Sequence, residues 1–277
     1  MNPVYCKYSN DRAEEFRIKT AIYQEKDGRK FVRKFLLNPA AERHVDQIYR
    51  HYLQMEESFQ GSLLAPNRCT KTGNGVELEF VEGETLEQYL DGLYASGRYL
   101  EILEEMKKYQ ETLYALSDNI PFQYTEKFEM VFGGETRFGD CLSLRVSNID
   151  LIFCNLLIGK KWTVIDFEWV LDVPVPIEFI VYRAIHYYLY SSTKRKALLD
   201  FHIYRLLGIS DEKAEVYAKM EQNFQKYVAG SKYAMFELKA HMLKRCEDAQ
   251  ALLRDRREDF VQLYMDDGTG FSEEDSI

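Results

Sequence analysis

Apolar and polar residues alternate along three stretches near the N-terminus, VYCKYS, EFRIKTAIY and RKFVRKFLL. Alternation of period two marks strands with one buried face. A turn at Lys26-Asp27-Gly28 joins the second stretch to the third, so residues 1–37 read as an antiparallel sheet. In the third stretch Lys30, Val32, Lys34 and Leu36 share one face, and Phe31, Arg33 and Phe35 the other. Asn38-Pro39 then opens a helix, AAERHVDQIYRHYLQM, whose expected buried stripe is Val45, Ile48, Tyr49 and Leu53. VELEFVEGETLEQYL reads as a strand, a break at Gly83 and a helix capped by Thr85. Residues 99–116 place Leu100, Leu103, Met106, Leu113 and Leu116 at helical spacing, as a core stripe. Residues 118–145, with Gly133, Gly134 and Gly139, read as an irregular connection.

The stretch NIDLIFCNLLIGKKWTVIDFEW, residues 148–169, organises the rest. Its two apolar runs flank a short GKK turn and predict a hairpin buried on one side. Three polar residues interrupt it. Asp150 precedes the first strand, Asn155 follows five residues later, and Asp166 ends the second strand before Phe167-Glu168. Asp and Asn also terminate strands for purely structural reasons. Two carboxylates and a carboxamide gathered by one hairpin nevertheless form a hard oxygen set suited to Mg²⁺.

Beyond Trp169, LDVPVPIEF is extended by its prolines, and residues 178–190 form an aromatic-rich helix. Arg183 in that helix could reach a substrate anion, but reads first as half of a structural ion pair. Ser210-Asp211-Glu212 caps a helix running to Val228, and residues 232–259 are expected as a further long, charged helix. The closing VQLYMDDGTGFSEEDSI begins like a strand, so residues 261–277 are expected to start a following domain.

Composition narrows the function classes. A net charge of −9 over 277 residues argues against a nucleic-acid partner. The five cysteines, Cys6, Cys69, Cys141, Cys154 and Cys246, have no C-x-x-C spacing, and no signal peptide is visible, which points to reduced thiols in the cytoplasm. Cys154 reads as a small buried filler. The five histidines are dispersed without zinc spacing, and no apolar run has the length of a membrane span.

The hairpin resembles the catalytic and metal-binding loops of the protein-kinase-like superfamily, closest to its aminoglycoside phosphotransferase and choline kinase branch. That branch reads H-G-D-L-x-x-x-N, then a strand and D-F-x. Asp150, Leu151, Asn155 and Asp166-Phe167 match; Asn148 and Ile149 stand for His and Gly, and Glu168 for the Gly of D-F-G. The resemblance implies that Asp150 is the catalytic base, that Asn155 and Asp166 hold metal, and that ATP and Mg²⁺ are the cofactors. It leaves Glu168 as a further metal ligand or a shaper of the acceptor side. By the V-A-I-K pattern Lys34, two after Val32, meets the α/β-phosphates. Glu42 or Asp46, with Glu42 preferred, supplies the helix acid that pairs with Lys34. The segment from Val76 resembles the hinge, where Glu79 offers its carbonyl and Val81 its backbone groups to the nucleotide. The segment SNDRAEEF departs from the pattern, with no glycine between the first two strands.

The expected fold is therefore α+β and bilobal, protein-kinase-like. An antiparallel-sheet small lobe spans residues 1–80 and a mainly helical catalytic lobe residues 81–260, with a C-terminal helical extension. The expected function is phosphotransfer from ATP to a hydroxyl acceptor, a small molecule or a saccharide, the latter in bacterial surface-polysaccharide assembly. This acceptor rests on the likeness of DFEW and PVPIEF to kinase-like regions fused to glycosyltransferases or methyltransferases. The alternative is a pseudokinase or accessory binding module of a multidomain glycosyltransferase.

Overall fold

The computed structural model describes residues 3–134 and 138–233. The alternating stretches form β1 (Pro3–Tyr8), β2 (Ile18–Gln24) and β3 (Lys30–Leu36), paired antiparallel. Period-two alternation gives β3 two unlike faces. On one, the Tyr23 and Phe31 rings stack at 5.4 Å and the Arg33 guanidinium lies 4.9 Å from the Phe31 ring. On the other, Lys34 is only 2% exposed.

After a short 3-10 turn at Pro39–Ala41 comes α1 (Glu42–Ser58). Its buried positions are His44, Val45, Ile48, His51, Tyr52 and Met55. Leu53, expected in the stripe, is 47% exposed. At about 100° per residue it falls well to the side of the arc defined by 45, 48, 52 and 55. The chain continues through β4 (Leu64–Pro66), β5 (Cys69–Thr72) and β6 (Gly75–Glu79). The small-lobe sheet has the order β1-β2-β3-β6-β5. Gly75 sits opposite Phe35, and a Cβ on it would lie 2.2 Å from the Lys34 carbonyl oxygen.

Beyond Glu79 the structure is mainly helical. Thr85 and Gln88 form a reciprocal capping box at the start of α2 (Leu86–Ala95). In α3 (Tyr99–Ala115) the buried residues are Ile102, Met106, Tyr109 and Leu113, whereas Leu100 is 78% exposed. The stretch expected to be irregular contains α4 (Glu126–Phe132), where the Thr125 side chain accepts the Phe128 N–H. That Thr was the sequence signal for a helix start. Short strands follow: β7 (Ser147–Asn148), β8 (Leu156–Leu157), β9 (Trp162–Val164) and β10 (Val170–Leu171). β8 and β9 are the expected hairpin, shortened because residues Phe153–Asn155 take a 3-10 turn. β4 pairs in parallel with β9, and β10 pairs with β7. Further α-helices among the described residues are α5 (Ile177–Tyr190), α6 (Ile203–Leu206) and α7 (Asp211–Ala229), the last capped by Ser210.

One apolar cluster runs from Phe16 and Ile18 in the small lobe to Phe224 and Val228 in the large one. The architecture is the expected bilobal α+β one. No helix among the described residues is long and apolar enough to cross a membrane. Apart from its first two positions, the expected helix over 232–259 lies outside the described residues, as do the tail and Cys246.

The close approach at Gly75 yields a stability test. Gly75→Ala should cost about 1–3 kcal/mol, as overpacking does, because the carbonyl it meets is backbone and cannot rotate away. Gly73→Ala, with open space around its Cβ, should stay within about 0.5 kcal/mol of wild type. Urea unfolding of both variants checks the pair.

Candidate active site

Backbone bonds knot the two arms of the 148–169 stretch together. The Ile149 N–H donates to the Trp169 carbonyl at 3.0 Å, and the Ile165 N–H to the Asn155 carbonyl at 2.9 Å. The Asn155 Nδ2 donates to the Asp150 carbonyl at 3.0 Å, and the Trp169 N–H to the Asp150 Oδ2 at 2.6 Å. Asp166 takes a left-handed φ of 53°. For a non-glycine residue that conformation costs about 1–3 kcal/mol and persists only where the surroundings over-determine it. Here the Glu168 N–H closes the turn onto the Asp166 carbonyl at 3.0 Å.

Asp150 is more enclosed than a group expected to meet an acceptor, at 6% exposed. Its second oxygen faces Arg183 Nη1 at 3.6 Å. Burial pushes its carboxyl up to about 6, against the downward pull of Arg183; Asp166 and Glu168 add to the rise. Arg183 is the structural ion-pair residue foreseen, bonded to Glu221 Oε2 at 2.8 Å. It also donates to the Ile149 carbonyl, so the same guanidinium supports the loop that presents Asp150.

Lys34 projects from β3 into an ion pair with Asp166, 132 residues away, and reaches Glu168 Oε2 at 3.2 Å. Burial by itself lowers the lysine pKa, but Asp166 and Glu168 outweigh it and hold the amine above its usual value. Glu168 itself is buried, which favours its neutral form; Lys34, Arg12 and His44 hold it well below the ordinary carboxylate range.

The expected acid on α1 is not there. Glu42 is exposed, and Asp46 is turned outward onto Lys71 at 2.9 Å. Glu42 and Asp46 lie about one turn apart, on a face of α1 that points away from Lys34. The face that points inward carries His44, whose Nε2 lies 3.0 Å from Glu168 Oε1. Arg12, from the β1–β2 connection, forms an ion pair with Glu168 as well. Sequence reasoning missed Arg12 and His44. The only signal was a charged residue within the glycine-free segment.

That connection folds inward. The Ala13 N–H donates to the Val228 carbonyl at 2.8 Å, and the Phe16 ring meets those of His44 at 5.3 Å and Trp169 at 5.2 Å. At the expected hinge, Glu79 ends β6; its carbonyl accepts the Asn67 Nδ2 at 3.0 Å, which leaves one lone pair. Val81 follows, half-buried and outside any strand. Asn67 had not been singled out in the sequence.

No three His, Cys, Asp or Glu side chains converge on one point among the described residues. What the site offers a cation is the Asn155 carboxamide and the Asp166 carboxylate, whose side chain is 59% exposed. That donor set fits Mg²⁺, which is bound by one or two carboxylates together with substrate phosphates and water.

No protein-family model matches the chain, and no curated protein does. Solved structures do. An aminoglycoside phosphotransferase, a thermostable mutant of APH(4)-Ia in its apo form, superposes with a TM-score of 0.52 at 14% identity, over 89% of this chain and 94% of that one. Choline kinase LicA from Streptococcus pneumoniae gives a TM-score of 0.48 at 10% identity, over 84% of this chain and 86% of that one. The APH(4)-Ia superposition shows the fold, the protein-kinase-like one that the 148–169 stretch led one to expect.

Asp150 should titrate with a midpoint near 6 in a carboxyl-detected NMR experiment, above its ordinary value of 3.8. Between those values the folded chain holds a proton that the unfolded chain has released, so this group's contribution to stability falls as pH rises from 3.8 through about 6. Arg183→Met should raise the midpoint further. A midpoint at or below 3.8 would contradict the enclosed geometry.

Proposed function

We propose that this chain is an ATP- and Mg²⁺-dependent phosphotransferase acting on a hydroxyl acceptor. The observation that carries the reading is the Lys34–Asp166 ion pair, which joins a sheet lysine of one lobe to the strand-end acid of the other. Beside it stand Asp150 and Asn155, tied by the side-chain bond between them. The compared structure with the same fold is by name a phosphotransferase.

In this reading Lys34 binds nucleotide phosphate, and the Glu79 carbonyl and Val81 backbone meet the base. Asn155 and Asp166 would hold Mg²⁺, which neutralises phosphate charge. Asp150 takes the proton of the attacking hydroxyl. A carboxyl near 6 is ionised at neutral pH yet basic enough for that transfer. Catalysis otherwise consists of holding the reactants in line within a charged site. The acceptor class we propose is a saccharide hydroxyl, on the resemblance of the DFEW and PVPIEF stretches to regions fused to polysaccharide enzymes. Residues 3–79 form the nucleotide lobe in this scheme and the helical part the acceptor lobe.

A second reading, a nucleotide-binding module without turnover, draws on the inward-folded, glycine-free β1–β2 connection. A tight phosphate cradle normally uses glycine for close backbone approach.

Four variants test these readings. Lys34→Ala should weaken Mg²⁺-ATP by about 1.5–3 kcal/mol, the worth of a hydrogen bond to a charged group. Lys30→Ala should do little, since that amine pairs with the exposed Glu82 at 3.0 Å. Asp166→Asn should abolish Mg²⁺-dependent binding in a folded chain. Asp150→Asn should bind Mg²⁺-ATP nearly as wild type and lose roughly 10²–10⁴-fold in turnover. Calorimetry and ATP consumption with saccharide acceptors are the measurements. Wild-type turnover should climb with pH through about 6 and level off above it. Binding without turnover on any acceptor supports the second reading, and absence of nucleotide binding removes both.

A further inference from the structure

In a site of this kind the phosphate-binding lysine needs a fixed anionic partner, because a buried amine on a four-carbon stem otherwise has many rotamers. In this chain no acid on α1 meets Lys34. Glu42 is exposed and Asp46 is committed to Lys71. The buried carboxylate at 3.2 Å from the Lys34 Nζ is Glu168. Asp166 also meets the amine, but its side chain is 59% exposed and its oxygens are the ones offered to a cation. Glu168 has a side-chain exposure of 8% and is engaged on every side. Its Oε1 contacts His44 Nε2 at 3.0 Å and pairs with Arg12, while its Oε2 takes Lys34.

The residues that hold Glu168 are themselves fixed. α1 is fastened to the Asp166–Asp172 segment at two points on one face, by His44 on Glu168 and, two turns on, by His51 Nε2 on Asp172 Oδ1 at 3.1 Å. Positions 44 and 51 lie seven residues apart, so they share a helix face. Arg12 is oriented from its own backbone and from its far end. Its carbonyl accepts the Arg17 Nε at 2.9 Å, and its guanidinium lies 5.2 Å from the Trp169 ring centroid. The N–H of the next residue, Ala13, is held by the Val228 carbonyl.

We infer that Glu168 is the positioning acid of Lys34, a role displaced from α1 to the residue two after Asp166. His44 of α1 and Arg12 of the β1–β2 connection act as positioning residues through Glu168. With both oxygens committed to three cationic or donor side chains, Glu168 is not a metal ligand. The consequence for binding rests on the phosphotransferase reading above; the geometry of the relay does not.

The test uses the full chain and two readouts. The first is Mg²⁺-ATP affinity. Glu168→Gln, His44→Leu and Arg12→Met should each raise Kd about tenfold, and His44→Gln, which keeps a side-chain N–H donor, should recover most of the loss. In a Lys34→Met background the same substitutions should change Kd by less than about twofold, because there is no amine left to position. Equal losses in both backgrounds would overturn the inference and return Glu168 to a metal-binding or purely structural role. The second readout needs no nucleotide. Labelling of Lys34 by an amine-reactive reagent, followed by mass spectrometry, should speed up several-fold in Glu168→Gln and His44→Leu but stay near wild type in His44→Gln. Unchanged labelling in folded variants, with wild-type melting temperatures, would overturn the relay. A wild-type chain that binds no Mg²⁺-ATP sinks the phosphotransferase reading alone, and the labelling rates then decide the relay by themselves.

Discussion

A buried lysine amine among carboxylates from the opposite lobe is the constraint on which the rest of the structure depends. Lys34 is 2% exposed, and an unpaired ammonium at that depth is too costly to keep. It is retained because Asp166 and Glu168 face it. Those acids arrive on a turn held by the left-handed backbone of Asp166 and by bonds to the Asp150 loop. The buried amine thereby couples the two lobes. Removing either acid leaves a buried charge short of a partner, a more severe change than losing a surface bridge.

A second buried ion pair supports the Asp150 loop. Arg183 on α5 and Glu221 on α7 join at 2.8 Å, and the same guanidinium reaches the Ile149 carbonyl. The loop carrying Asp150 thus rests on a charge that the helical lobe neutralises for itself. This division lets Asp150 remain only loosely paired, at 3.6 Å from Arg183. Burial can then raise its pKa toward the range useful for proton transfer.

Much of the fold could be read directly. Alternation in RKFVRKFLL put Lys34 on one face of β3 with Val32 and Leu36, and Thr85 and Ser210 marked the starts of α2 and α7. Errors arose where one element packs on two sides. A single apolar stripe was expected on α1, which put Leu53 inside; the helix instead buries an arc broad enough to include His44 and His51. Polar residues in that arc carry no hydrophobic signal, so periodicity alone passes over them. Leu100 failed for the related reason that it falls in the first turn of α3, where Ile102 and not Leu100 turns inward.

What the sequence determined by itself was the local chemistry. The spacing of Asp150, Asn155 and Asp166 around one short hairpin follows from turn length and backbone hydrogen bonding, both short-range properties. Which acid meets Lys34 was not a local property. Glu42, Asp46 and Glu168 all carry the required charge, and the first two lie on the helix that the fold sets beside the lysine strand. The choice turned on the rotation of α1 about its own axis. Packing of Val45, Ile48 and Met55 sets that rotation, turns both helix acids outward and brings His44 onto Glu168. Apolar burial from many residues outweighs the pairing of one exposed acid, so only the assembled core could decide the partner.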